Sequence, residues 1–175
     1  MTKTSMCTGS ALLNPSASSV NKDRMLKYKA LASTFLYPDK KELVSEYDCL
    51  FRHNEIWLYG AEYIAENEFQ RARILSDIAG FYKAFGLETD KDRPDMLVSE
   101  LEFMYYLLYK EINAPDKEKA SICQDAQRKF FNEHLYPAVK KISKKIISQA
   151  KSGFYLETCK DLLEFLESEK KVFAK

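Results

Sequence analysis

Only ten of the chain's 175 residues are glycine or proline, well under the roughly 12% typical of soluble domains. Few turn formers means few tight turns. A β-sandwich or barrel needs a turn every 8–12 residues or so, and this sequence cannot supply them. Long helices remain. One domain with a substantial core fits the length, and 46% hydrophobic with 30% charged residues excludes a disordered chain. The longest uninterrupted apolar run, residues 103–109, falls far short of the ~20 residues that span a bilayer.

Hydrophobic spacing divides the chain into seven or eight helices, read as a single all-α bundle over residues 21–175. Residues 1–20 are Ser/Thr-rich and aperiodic, and read as a flexible arm, with docking through Leu12 and Leu13 as the alternative. A first helix is expected from the cap Asn21 to position 37, burying Met25, Tyr28, Ala32 and Phe35, with Pro38 ending it. Asp39 is expected to cap a second helix whose inward face is Leu43, Val44, Tyr47, Leu50 and Phe51. Residues 55–67 read as a short helix interrupted near Gly60. Asn67 opens another, which Gly86 stops.

After Pro94, a helix over 95–112 is apolar almost all round, with Ser99, Glu102 and Tyr106 forming a narrow polar line. Such a helix belongs at the centre of a bundle. Asp116 caps the next helix, Pro137 ends or kinks it, and Gly153 separates the last two.

Catalytic constellations are absent from the pattern, so the chain reads as a non-enzyme. His53 and His134 are the only histidines and lie in no metal-binding spacing. His134 reads as a capping or partly buried histidine. Four scattered cysteines form no C-x-x-C, and reduced thiols are expected. There is no glycine-rich phosphate cradle. Glu100 and Glu102 project about 200° apart on a helix and cannot share a site. Lys3 followed by Thr and Ser, without an apolar segment, predicts no secretory signal and a cytoplasmic protein.

Two charge features stand out. Residues 86–102 carry six acids (Glu88, Asp90, Asp92, Asp95, Glu100 and Glu102) against Lys91 and Arg93, which suits a basic peptide. Residues 138–152 carry five lysines and no acid, the basis of an alternative reading as a helical adaptor on membrane or RNA. A net charge of +1 gives no general expectation of nucleic-acid binding.

Four blocks, in order, carry a resemblance to a known family: L-A-S-T-F-L-Y-P-D (31–39), F-Y-K-A-F-G-L-E (81–88), D-R-P-D-M-L-V-S-E-L-E-F-M-Y-Y-L-L (92–108) and F-F-N-E-H-L-Y-P (130–137). Together they resemble the TorD/DmsD/NarJ family of redox-enzyme maturation chaperones. The resemblance implies an all-helical cytoplasmic chaperone of a molybdopterin-containing oxidoreductase. It would bind the client's twin-arginine signal peptide or apoprotein, assist cofactor insertion and proofread export. The bis-molybdopterin guanine dinucleotide cofactor would be met only through the client.

Within that pattern Pro94 and Asp95 match the family's P-D loop, implicated in peptide binding. Met96 replaces the usual histidine, and Arg93 stands where an acidic or small residue is common. The expected peptide site comprises Glu88, Asp92, Pro94, Asp95, Met96, Glu102 and Tyr106, with exposed acids beside an adaptable Met and aromatic groove. Glu102 is expected to meet either an internal partner (Tyr106, Lys110 or a neighbouring helix) or a client arginine.

Overall fold

A computed structural model describes residues 15–88, 92–150 and 153–174. These contain eight α-helices: α1 (Pro15–Thr34), α2 (Lys41–Tyr47), α3 (Ala61–Ile64), α4 (Glu68–Ala84), α5 (Leu97–Ile112), α6 (Lys117–Phe130), α7 (Tyr136–Gln149) and α8 (Phe154–Phe173). Two π-helical turns, Asp48–His53 and Phe131–Leu135, extend α2 and join α6 to α7. Among the described residues the only β pairing is a single bridge between Tyr59 and Met96. The chain is an all-α bundle.

Local chemistry explains most boundaries. The Asn67 side chain accepts from the Gln70 N–H, and that of Asp116 from the Lys119 N–H; each satisfies a donor that the first helical turn leaves free. At the other end of α4, Gly86 takes φ 74°. The Leu87 N–H reaches Tyr82 O and the Gly86 N–H reaches Lys83 O, a Schellman closure that favours glycine. Gly153 adopts φ 127°, and the Glu46 carboxylate of α2 accepts from the Phe154 and Tyr155 N–H groups at 3.0 and 2.8 Å. Pro137 lies in the first turn of α7, immediately after the second π turn, and the backbone stays helical through Leu135 and Tyr136 into α7.

α5 is the central helix. Leu97, Val98, Leu101, Phe103, Met104, Leu107 and Leu108 are all buried, and α1 and α6 pack along it. Tyr82, Phe103 and Phe130 join α4, α5 and α6 in edge-on contacts, with ring centroids 4.7 Å (Tyr82–Phe103) and 4.8 Å (Phe103–Phe130) apart.

The structure revises three expectations. α1 begins at Pro15, so Asn21 is not its cap. Asn21 lies within the helix, and its amide donates to Glu111 at 3.0 Å. Serine costs a helix only a few tenths of a kcal/mol per residue, so residues 15–20 extend α1; the rest of the expected arm, with Leu12 and Leu13, lies outside the described residues. Asp39 does not cap α2 either. The helix starts later, behind Lys40, which makes no side-chain cap. Residues 55–67 are not one helix. Only Ala61–Ile64 is helical; residues 55–58 form no regular element, Tyr59 bridges to Met96, and Gly60 turns into α3 with helical dihedrals.

Candidate functional site

The loop ahead of α5 is sewn to the non-helical segment that leads into α3. The Gly60 N–H donates to Asp95 O at 2.9 Å and the Leu97 N–H to Leu58 O at 2.8 Å. The Asp95 carboxylate accepts from the Ala61 N–H at 2.9 Å. Nearby, the buried Tyr82 hydroxyl donates to Pro94 O at 3.0 Å. Arg93 stacks over the Tyr59 ring, 4.2 Å from its centroid, and reaches Glu62 at 2.6 Å. Arg71 also reaches Glu62, at 3.0 Å. Hydrogen bonding from Arg93 holds the Glu62 carboxyl below the usual range. The unusual Arg93 is therefore a clamp from the loop onto α3.

This stitching opens a groove of about 440 Å³ between α1, α4 and α5. Its apolar walls are Leu87, Pro94, Phe103, Tyr105 and Tyr106, and its charged rim is Lys29, Glu88, Arg93 and Glu102. Tyr106 donates to Phe85 O at 3.3 Å, tying α5 to the end of α4. Glu102 meets Lys29 of α1 at 2.7 Å, and both side chains are half exposed. Lys29 also lies over the Tyr105 ring. Of the internal partners expected for Glu102, the neighbouring helix is the one found.

The expected site residues are thus divided. Glu88, Pro94, Glu102 and Tyr106 line this groove. Met96 lines a different cleft, with Tyr37, Tyr47, Trp57 and Tyr59. Asp92 is exposed and lines neither; Asp90 and Lys91 fall outside the described residues. Asp95 departs most from expectation. It is fully buried rather than an exposed acid, because its carboxylate caps α3. Burial pushes its carboxyl up, and the Ala61 N–H partly opposes that. Asp95→Asn is therefore not a surface-charge change.

Sequence reasoning set Glu100 aside, yet it is the most unusual acid in the molecule. Its side chain is fully buried, and neither oxygen has a hydrogen-bond partner among the described residues. It lies against Gly60, where an added Cβ would stand 3.3 Å from Glu100 Oε1 and 2.9 Å from the Ala138 Cβ. Burial, reinforced by Asp95, drives the carboxyl well above the ordinary range. The signal was present: position 100 follows Leu97 by three and precedes Met104 by four, on the apolar stripe itself. Lys29 gave no such signal, since it meets Glu102 from 73 residues away.

The lysine-rich face of α7 is partly engaged. Lys141 donates to Tyr63 O at 2.8 Å, and Lys140 and Lys145 lie over the Tyr136 and Tyr63 rings. Among the described residues no helix is long and apolar enough to cross a membrane. Cys49, Cys123 and Cys159 are free thiols.

Comparison with known proteins agrees with the four sequence blocks. The family model described as nitrate reductase delta subunit matches residues 21–142. The chlorate reductase assembly chaperone protein of Ideonella dechloratans is 31% identical over 132 residues, covering 62% of this chain and 68% of that protein. The perchlorate reductase assembly chaperone protein of Dechloromonas aromatica (strain RCB) is 36% identical over 69 residues, covering 37% of this chain and 31% of its own. An all-α bundle with most of its sequence matched, the chain belongs to the nitrate reductase delta subunit family, the NarJ/TorD type of redox-enzyme maturation chaperones.

Proposed function

We propose that this protein is a cytoplasmic chaperone that holds the signal peptide or apoprotein of a molybdopterin-containing oxidoreductase during maturation, cofactor insertion and export proofreading. The observation that carries this reading is the groove between α1, α4 and α5, an aromatic trough rimmed by Glu88 and Glu102 in a chain of an assembly-chaperone family. A twin-arginine peptide offers guanidinium groups followed by an apolar stretch, and the groove offers carboxylates beside apolar walls. No catalytic role is assigned to the chain's residues. The molybdenum cofactor is reached only through the client.

Lys29 gives the groove a built-in competitor. A peptide arginine that engages Glu102 displaces an exposed Lys–Glu pair, which is itself worth little, and replaces it with a bidentate guanidinium–carboxylate contact. Lys29→Met should therefore tighten a twin-arginine peptide several-fold, and Glu102→Gln should weaken it by about 3–10-fold, most clearly at low salt. Glu102 is half exposed, so solvent screening keeps the loss modest. Calorimetric titration of both variants, alongside co-purification of a molybdoenzyme subunit from cells, tests the reading. Unchanged affinity in both variants would remove the peptide from this groove; absence of any reductase subunit would remove the client.

A further inference from the structure

A second cleft, of about 860 Å³, opens on the other side of α4 and is lined by Arg73, Asp77, Phe81, Glu133 and His134 among others. Its chemistry comes from the π-helical turn Phe131–Leu135. Wide turns of this kind re-aim side chains and recur at functional sites; this one carries Glu133 and His134 to the same cleft as Asp77 of α4. His134 Nε2 lies 2.7 Å from Asp77 Oδ2, with side-chain exposures of 5% and 53%. One ligand atom from each of Asp77, Glu133 and His134 falls within 4.8 Å of the others.

The imidazole is wedged against the Phe81 and Phe130 rings, with centroids 5.8 and 5.4 Å away. Its Nδ1 is buried without a partner among the described residues. An ordinary buried histidine has both nitrogens satisfied. This one is held by packing, with Nε2 on the side of two exposed carboxylates.

We propose that Asp77, Glu133 and His134 bind a divalent transition-metal ion, with Zn²⁺ the best match to one imidazole and two carboxylates. Tetrahedral ligands about 2.0 Å from an ion stand about 3.3 Å apart. The exposed Asp77 carboxylate swings back by roughly half an ångström from its hydrogen bond, and the exposed Glu133 carboxylate adjusts from within 4.8 Å, for the ion to enter. The two carboxylates outweigh Arg73 on the same wall, and three protein ligands leave a coordination position facing the cleft. Ion binding moves the imidazole proton from Nε2 to Nδ1. There it faces aromatic rings instead of an acceptor, so the affinity falls about 10–100-fold below that of a site whose histidine has an outer hydrogen-bond partner.

The test uses the full-length protein with Co²⁺ followed by absorption and Zn²⁺ followed by calorimetry. Asp77→Asn and Glu133→Gln alter exposed side chains and keep the fold, checked by circular dichroism; His53→Gln is the control. One equivalent of each ion, lost at least ten-fold in both cleft variants and retained in the control, is the expected result. No saturable binding, binding unchanged in the cleft variants, or an intense near-ultraviolet thiolate band from Co²⁺ on a cysteine overturns the proposal.

Discussion

Replacing Glu169 with alanine should lower the unfolding free energy by about 3–5 kcal/mol. Both Glu169 oxygens are engaged by the Arg24 fork, Nε at 2.7 Å and Nη2 at 2.8 Å, and the Tyr28 hydroxyl donates to Oε2 at 2.9 Å. This network bolts α8 to α1. Arg24 is only 12% exposed at its side chain and lies over the Phe173 ring, and Tyr28 is fully buried. Truncation strands a charge and a hydroxyl out of water. The double change Arg24→Met with Glu169→Leu, which removes both partners, should cost much less. Urea unfolding monitored by circular dichroism compares the three proteins. A loss below about 1 kcal/mol in Glu169→Ala would mean the network behaves like an exposed surface pair.

Glu100→Gln should act in the opposite direction and raise stability by about 1–3 kcal/mol at neutral pH. The Glu100 carboxyl titrates higher in the folded state than in the unfolded chain. Its contribution is therefore fully present below the ordinary glutamate pKa of about 4.3. It is lost as pH rises from there through the folded pKa, because only the unfolded chain gains from ionising. The variant and parent should melt together near pH 4 and separate as pH rises, with the variant the more stable. Asp95 shifts in the same direction and remains in both proteins, so the difference isolates Glu100. A variant that melts lower at neutral pH would show that the carboxylate has a partner worth more than its burial costs.

How far the sequence disclosed the molecule follows from which physics was local. Caps at Asn67 and Asp116, the Gly86 stop and the apolar α5 were legible, because each depends on residues within one or two turns. The non-helical run at 55–59 was not. Trp57, Tyr59 and Tyr63 read as a helix face, but the backbone groups of Leu58 and Gly60 bond to the loop at 95–97. The same long-range bond network buries Asp95, which sequence reasoning counted among exposed acids. Glu102 was identified as an acid needing a partner, yet Lys29 could not be named from helical spacing. The pairing of His134 with Asp77 crosses between α4 and the π turn, and no spacing rule links those positions.

The groove is the centre of the functional account, and site-specific cross-linking addresses it most directly. A photoreactive residue placed at Tyr105 sits in the groove wall, whereas one at Ile122 sits exposed on α6. Each protein would be irradiated with a twin-arginine peptide from a molybdoenzyme precursor, and the adduct mapped by mass spectrometry. The account predicts peptide attached at position 105, competed by unlabelled peptide and diminished by Glu102→Gln, with none at 122. Adducts at 122, or none at 105 under conditions where the peptide binds, would contradict it.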